Sequence, residues 1–166
     1  MLLLISVHTL VFFLSGNFQV YLLDSFKWVK NPGILGLLSY IKLCKKYFSS
    51  SNSCDAILIY GSMCRNQLHI RSDLDLRIIR RTDSIHGLFA LPIGYLLRAY
   101  SLLVWVPVDL QVVDSFEFIE KQMRSDEKPI VVYCRHGVIL QNQGIDISEV
   151  EKDPTLVLRD KQTLEQ

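Results

Sequence analysis

A chain of 166 residues, 49% hydrophobic and 21% charged, is long enough for one domain with a real core and too short for two ordinary ones. Its polar fraction is too low for a disordered chain. With 18 basic and 17 acidic side chains the formal charge is +1, so no global positive field points to nucleic acid as a partner.

The charge is uneven along the chain. Residues 1–54 hold five lysines against the single Asp24, residues 55–144 carry ten charges of each sign, and residues 145–166 carry six acids and three bases. The first 23 residues, MLLLISVHTLVFFLSGNFQVYLL, contain no charge and match the length that a bilayer-spanning helix requires. Ser6, His8, Thr9, Ser15, Asn17 and Gln19 dilute that apolarity, and no basic residue precedes the run, so the n-region of a secretory signal is missing. Lys27, Lys30, Lys42, Lys45 and Lys46 follow it, which by the positive-inside tendency leaves the downstream chain in the cytoplasm. The expectation is a cytoplasmic body preceded by a helix that is buried or faces a partner. Attachment to the cytoplasmic face of a membrane through that segment is the alternative.

Asn31-Pro32-Gly33 is a turn signal, after which Ile34, Leu37, Leu38, Ile41 and Leu43 approximate the stripe of an amphipathic helix that ends before the polar loop 49–53. Ala56 to Tyr60 is a continuous apolar run stopped by Gly61-Ser62, the pattern of a buried strand entering a tight turn. Leu74, Leu76, Ile78 and Ile79 define a second strand, with Asp73, Asp75 and Arg77 alternating against them. Asp83-Ser84 is positioned to cap an unusually apolar helix over 85–103, which Pro92 is expected to kink or divide. Val106 to Val113 reads as a third strand bearing Asp109, Phe116 to Met123 as a short helix, and 130–133 and 138–140 as late strands. Beyond Gly144 the composition turns acidic and polar, so a frayed tail is expected over 145–166. Cys44, Cys54, Cys64 and Cys134 form no CxxC pair, and the four histidines form no HxxxH, which argues against zinc and for reduced thiols.

The chemistry concentrates between 61 and 109. Alternation along a strand puts Asp73 and Asp75 on one face, with Leu74 and Leu76 on the other. Two neighbouring carboxylates repel unless a cation sits between them, and oxygen ligands of this kind suit magnesium or manganese. If the third strand lies beside the second, Asp109 joins them, and three carboxylates are able to hold two metals in the manner of phosphoryl-transfer enzymes. Gly61 permits close backbone approach to a phosphate, the Ser62 hydroxyl is able to hydrogen-bond its oxygens, and Arg65 is able to balance its charge.

The stretch IYGSMCRNQLHIRSDLDLRII resembles the signature of minimal nucleotidyltransferase domains of the DNA polymerase beta-like superfamily: a hydrophobic strand, Gly-Ser, a spacer and an Asp-x-Asp strand. Eleven positions separate Ser62 from Asp73, inside that family's spacing, and Val108-Asp109-Leu110 matches the context of its third acid. The resemblance covers about 56–140 and departs from the family at Asn66, where relatives carry Gly; Asn tolerates the left-handed backbone that such a turn requires. It implies an α+β fold with a small mixed sheet and helices on one face. The nucleotidyltransferase domain would occupy 55–144, between an apolar and basic N-terminal segment, 1–54, and the polar tail. It also implies that Gly61, Ser62 and Arg65 contact a nucleoside triphosphate such as ATP, and that Asp73, Asp75 and Asp109 bind Mg2+ or Mn2+. Nucleoside monophosphate would pass to a hydroxyl of a protein or small molecule, with no large nucleic acid as substrate. A different class of function stands beside this one: a non-catalytic, antitoxin-like or membrane-associated binding protein that uses the apolar stretches 1–23 and 85–103 as its interface.

Overall fold

A computed structural model describes residues 17–26, 30–124, 127–135 and 144–158. In chain order it contains helices α1 (Asn17–Ser25) and α2 (Gly33–Ser50), strands β1 (Cys54–Tyr60) and β2 (Leu74–Arg80), and a 3-10 turn (Ile85–Phe89) leading into α3 (Ala90–Leu103). Strand β3 (Val108–Val113), helix α4 (Phe116–Glu120), strands β4 (Ile130–Cys134) and β5 (Ile145–Asp146), helix α5 (Ile147–Lys152) and a 3-10 turn (Pro154–Val157) follow. The architecture is mixed α+β, a five-stranded sheet with helices against it.

The strand order is β3-β2-β1-β4-β5. Strand β1 lies in the middle, antiparallel to β2 and β4, and all of its residues except Asp55 are buried. That explains why its sequence is a continuous apolar run and not an alternating one. Ile57 and Ile59 enter the main core with Leu74, Leu76, Ile78, Val108 and Leu110, beneath α2 and α3. Ala56, Leu58 and Tyr60 face the opposite side, where Ile79, Val113 and Ile119 make a smaller cluster under α4. The sheet thus carries its large helices on one face, as expected, and a one-turn cover on part of the other.

Helix α2 buries Ile34, Leu37, Leu38, Ile41, Cys44 and Phe48, one stripe at helical spacing. Its entry turn is fastened to the loop before β2: Asn31 Nδ2 donates to the His69 carbonyl at 2.9 Å and the Ser72 carbonyl at 2.8 Å, while its Oδ1 accepts from the Gly33 amide at 3.0 Å.

The helix expected over 85–103 is divided shortly before Pro92, into the 3-10 turn and α3, and Pro92 falls in the first turn of α3. Amides there have no intrahelical partner to lose. Ser84 does cap, accepting from the His86 amide at 3.3 Å, but the turn it starts is 3-10. The tail expected to fray folds instead through Leu158. Strand β5 pairs parallel with β4, Ile147, Val150 and Val157 are buried in the main core, and the Leu68 amide donates to the Val157 carbonyl at 3.0 Å. Three well-spaced apolar side chains anchor this segment despite its acidic composition. The expected strand at 138–140 and the apolar residues 1–16 lie outside the described residues. Among the described residues, no helix is long and apolar enough to cross a membrane.

Candidate functional site

The turn after β1 is built as its residue types require. Gly61 has φ +71° and Asn66 φ +57°, both in the left-handed region where glycine is at ease and asparagine is tolerated. The Gln67 amide donates to the Ser62 carbonyl at 2.9 Å, closing the turn. Cys64 Sγ donates to the Gly61 carbonyl at 3.2 Å, and burial, aided by Glu127, pushes its thiol up to about 12. That thiol is a space-filling group and not a reactive one.

Gly61 is required by contact as well as by conformation. A Cβ placed there would stand 1.8 Å from Asp75 Oδ2, so the Asp75 carboxylate rests directly against the turn backbone. Ser62 Oγ is buried and, among the described residues, makes no hydrogen bond. Tyr60, the register partner of Asp75, likewise has a buried hydroxyl with no partner. Unsatisfied buried hydroxyls are costly, and these two belong to the end of β1 and the turn that follows it.

Parallel pairing of β2 with β3 sets Asp75 opposite Asp109 and Arg77 opposite Gln111, all four on one face of the sheet. Asp73 immediately precedes β2, and its charge reaches Asp75. Burial, reinforced by the Asp73 carboxylate and opposed by Arg77, pushes the Asp75 carboxyl up to about 6. A carboxylate in that condition lacks sufficient positive charge.

Asp109 has the reverse environment. Arg77 Nη2 stands 2.9 Å from its Oδ2, Arg98 Nη2 3.4 Å from its Oδ1, and Gln111 Nε2 donates to Oδ2 at 3.1 Å. Arg77 also reaches Asp75, at 3.7 Å, and bonds the Asp109 carbonyl at 2.9 Å. The structure therefore brings Asp73, Asp75 and Asp109 into one neighbourhood while occupying the last with two guanidiniums. Among the described residues no three His, Cys, Asp or Glu side chains form a group placed to hold a metal ion. The chemistry of Asp73 and Asp75 fits a divalent cation: two oxygen donors, one of them desolvated and short of positive charge. Asp109 in this arrangement does not offer a free third ligand.

Arg65 leaves the turn beside the carboxylates, but its guanidinium is bound by Glu127, whose side chain is buried. Arg80 pairs with Asp114 at 2.5 Å and Arg81 with Asp83 at 3.0 Å, ordinary exposed ion pairs. Sequence reasoning missed Arg98, Gln111, Glu127 and the Tyr60 hydroxyl. The parity shared by Gln111 and Asp109 is a signal that would have found the first neighbour; Arg98 and Glu127 arrive from other elements and leave none. No protein-family model matches the chain, and no curated protein matches it.

Proposed function

We propose that this protein is a metal-dependent nucleotidyltransferase that moves a nucleoside monophosphate from a triphosphate, ATP in the first instance, to an acceptor hydroxyl. The observation that carries this reading is the seating of Asp75 against Gly61, with Asp73 beside it and Asp109 in register on the neighbouring strand. A glycine-led turn and a carboxylate pair thereby share one corner of the sheet. Ser62 Oγ and the turn amides are the groups for the triphosphate oxygens. Asp73 and Asp75 are the ligands for a divalent cation, which when bound would neutralise charge on the triphosphate and on the departing pyrophosphate.

In the reaction the acceptor oxygen bonds to the α-phosphorus, the bond from that phosphorus to the α–β bridging oxygen breaks, and pyrophosphate leaves with the electron pair. The hydroxyl proton passes to a base or to water. Arg77 ties Asp75 to Asp109 and so fixes the separation of the strands' acids, a positioning role. Arg65 engages a phosphate only by exchanging Glu127 for it.

The paired Asp109 favours a second reading, a binding protein that keeps the fold without turnover, since two guanidiniums already satisfy the acid that would complete the site. One experiment separates them. Full-length protein is incubated with magnesium, cell extract and ATP labelled on its α-phosphate. Label on an acceptor with wild type and none with Asp75→Asn supports the transferase; equal labelling in both, or none in either, leaves the binding protein.

A further inference from the structure

Helix α3 carries almost no polar surface. Its inner side, Ala90, Gly94, Leu97 and Ser101, is buried and mostly small, while Leu96 and Leu103 are 71% and 83% exposed and Tyr95 and Tyr100 are exposed with them. Arg98 is its single charged residue, and that guanidinium reaches Asp109 at the sheet edge, 3.4 Å away. A helix on the surface of a globular protein ordinarily sets charge on its outward side. The apolar surface continues onto α2: Leu43 and Tyr47, with Ile93, Leu96, Leu97 and Tyr100 of α3, line a groove of about 320 Å3 between the two helices. Just past the end of α3, the exposed Trp105 donates from Nε1 to the Lys30 carbonyl at 3.3 Å. Exposed apolar patches that join several elements mark surfaces that meet something other than water.

The charge around this patch has one sign. No aspartate or glutamate lies between Asp24 and Asp55 or between Asp83 and Asp109, so α2, α3 and the turn into α2 contain none. Lys42 and Lys46 are exposed one helical turn apart on α2, each next in sequence to a groove residue, and Lys30 is exposed beside Trp105. Lys42 meets Glu151 of α5 at 3.7 Å, an exposed pair of little strength. Tyr47, Tyr95, Tyr100 and Trp105 add apolar rings with polar tips, the side chains that favour the boundary between headgroups and hydrocarbon.

We infer that the α2–α3 face docks on an anionic lipid surface, with Leu96 and Leu103 entering the boundary of the acyl chains and Lys30, Lys42 and Lys46 lying among the headgroups. Charge chooses this occupant over a second copy of the chain. Two-fold pairing through the same face would set these lysines against one another with no carboxylate on either helix to receive them. Contact of this kind is peripheral: among the described residues no helix is long and apolar enough to cross a membrane. The sheet carries α2 and α3 on the face that receives Leu74, Leu76 and Leu110, whereas Asp75 and Asp109 alternate to the other. A protein resting on lipid through these helices therefore keeps its acidic corner away from the membrane. Attachment in this way is independent of nucleotidyl transfer.

Full-length protein should sediment with vesicles of phosphatidylcholine containing about one third phosphatidylserine, binding at least about tenfold more tightly than to phosphatidylcholine alone and more weakly as salt is raised. The pair Leu96→Glu and Leu103→Glu should weaken binding to the anionic vesicles at least about tenfold. Both side chains are exposed, so Tm should stay within roughly 2 °C of wild type. The pair Lys42→Gln and Lys46→Gln should weaken binding to the anionic vesicles by about tenfold or more and leave any binding to phosphatidylcholine unchanged. A lipid spin-labelled near its headgroup should broaden the amide resonances of Leu96 and Leu103. Asp75→Asn should sediment like wild type, so that loss of transfer and loss of attachment are read separately. Docking on lipid is overturned by failure to sediment with the anionic vesicles, by equal binding to both compositions, or by unchanged binding of the leucine pair, which would assign attachment to another part of the chain. It is equally overturned if sedimentation velocity shows a dimer that the leucine pair dissolves and that ignores vesicles, which would give the face to a second copy.

Discussion

Asp75 and Asp109 stand side by side across one parallel ladder, yet they live under opposite electrostatics. Asp75 is desolvated, pressed against a glycine turn and pushed up by a second carboxylate; Asp109 is held by two guanidiniums and an amide. One end of the acidic row is short of cations and the other is supplied. A site made this way is asymmetric before any ligand arrives: a cation has a place to go at β2, while at β3 it competes with arginine.

Gly61→Ala should break this arrangement most severely. A Cβ with φ +71° and no room beside Oδ2 forces the turn or the carboxylate to move, at a cost of about 3 kcal/mol. Urea unfolding should show it, and the nucleotidyl transfer proposed above should be lost with it.

The second test reads the asymmetry as pH dependence. A carboxyl whose folded pKa of about 6 exceeds its ordinary 3.8 favours the fold in its protonated form. That contribution is complete below about pH 4 and is lost as pH rises through 6, on the order of 3 kcal/mol in all. Asp75→Asn, which mimics the protonated group, should flatten this part of the stability curve and be the more stable protein above pH 7. Millimolar magnesium should restore wild type at neutral pH, raising Tm by roughly 2–5 °C, and leave Asp75→Asn unmoved.

Arg98→Met sharpens the contrast from the other side. Removing one guanidinium from Asp109 should cost about 1 kcal/mol and tighten magnesium binding severalfold by calorimetry, because a third carboxylate becomes available. Unchanged or weaker magnesium binding would mean that Asp109 takes no part in holding the ion. The smallest effect belongs to Leu103→Lys. This residue at the end of α3 is 83% exposed, so Tm should move by no more than roughly 1–2 °C.

The strands that frame the site were legible because each has a pattern that burial alone explains. The continuous run of β1 reflects cover on both faces, and the alternation of Asp73, Asp75 and Arg77 reflects one buried face and one polar face. Gly61 and Asn66 were legible as turn chemistry, and both adopt positive φ. The pairing state of Asp109 was not, because it depends on Arg98 reaching around the sheet edge from a helix whose outer residues are otherwise apolar. Nor was the grip of Glu127 on Arg65, which joins residues distant in the chain across the start of β4. The tail misled for a related reason. Its average composition is polar, while its fold is decided by Ile147, Val150 and Val157, all of which are buried.

The loop between the glycine turn and Asp73 is fastened from both directions. Asn31 holds His69 and Ser72 from the N-terminal side, and Val157 receives the Leu68 amide from the C-terminal side, where Leu68 also bridges to Leu158. In sequence, Asp73, Asp75 and Asp109 all precede the last clamp on that loop. The corner that holds the acids is thus pinned by chain segments on both sides of it in sequence, so its shape depends on residues 145–158 as much as on those that form it.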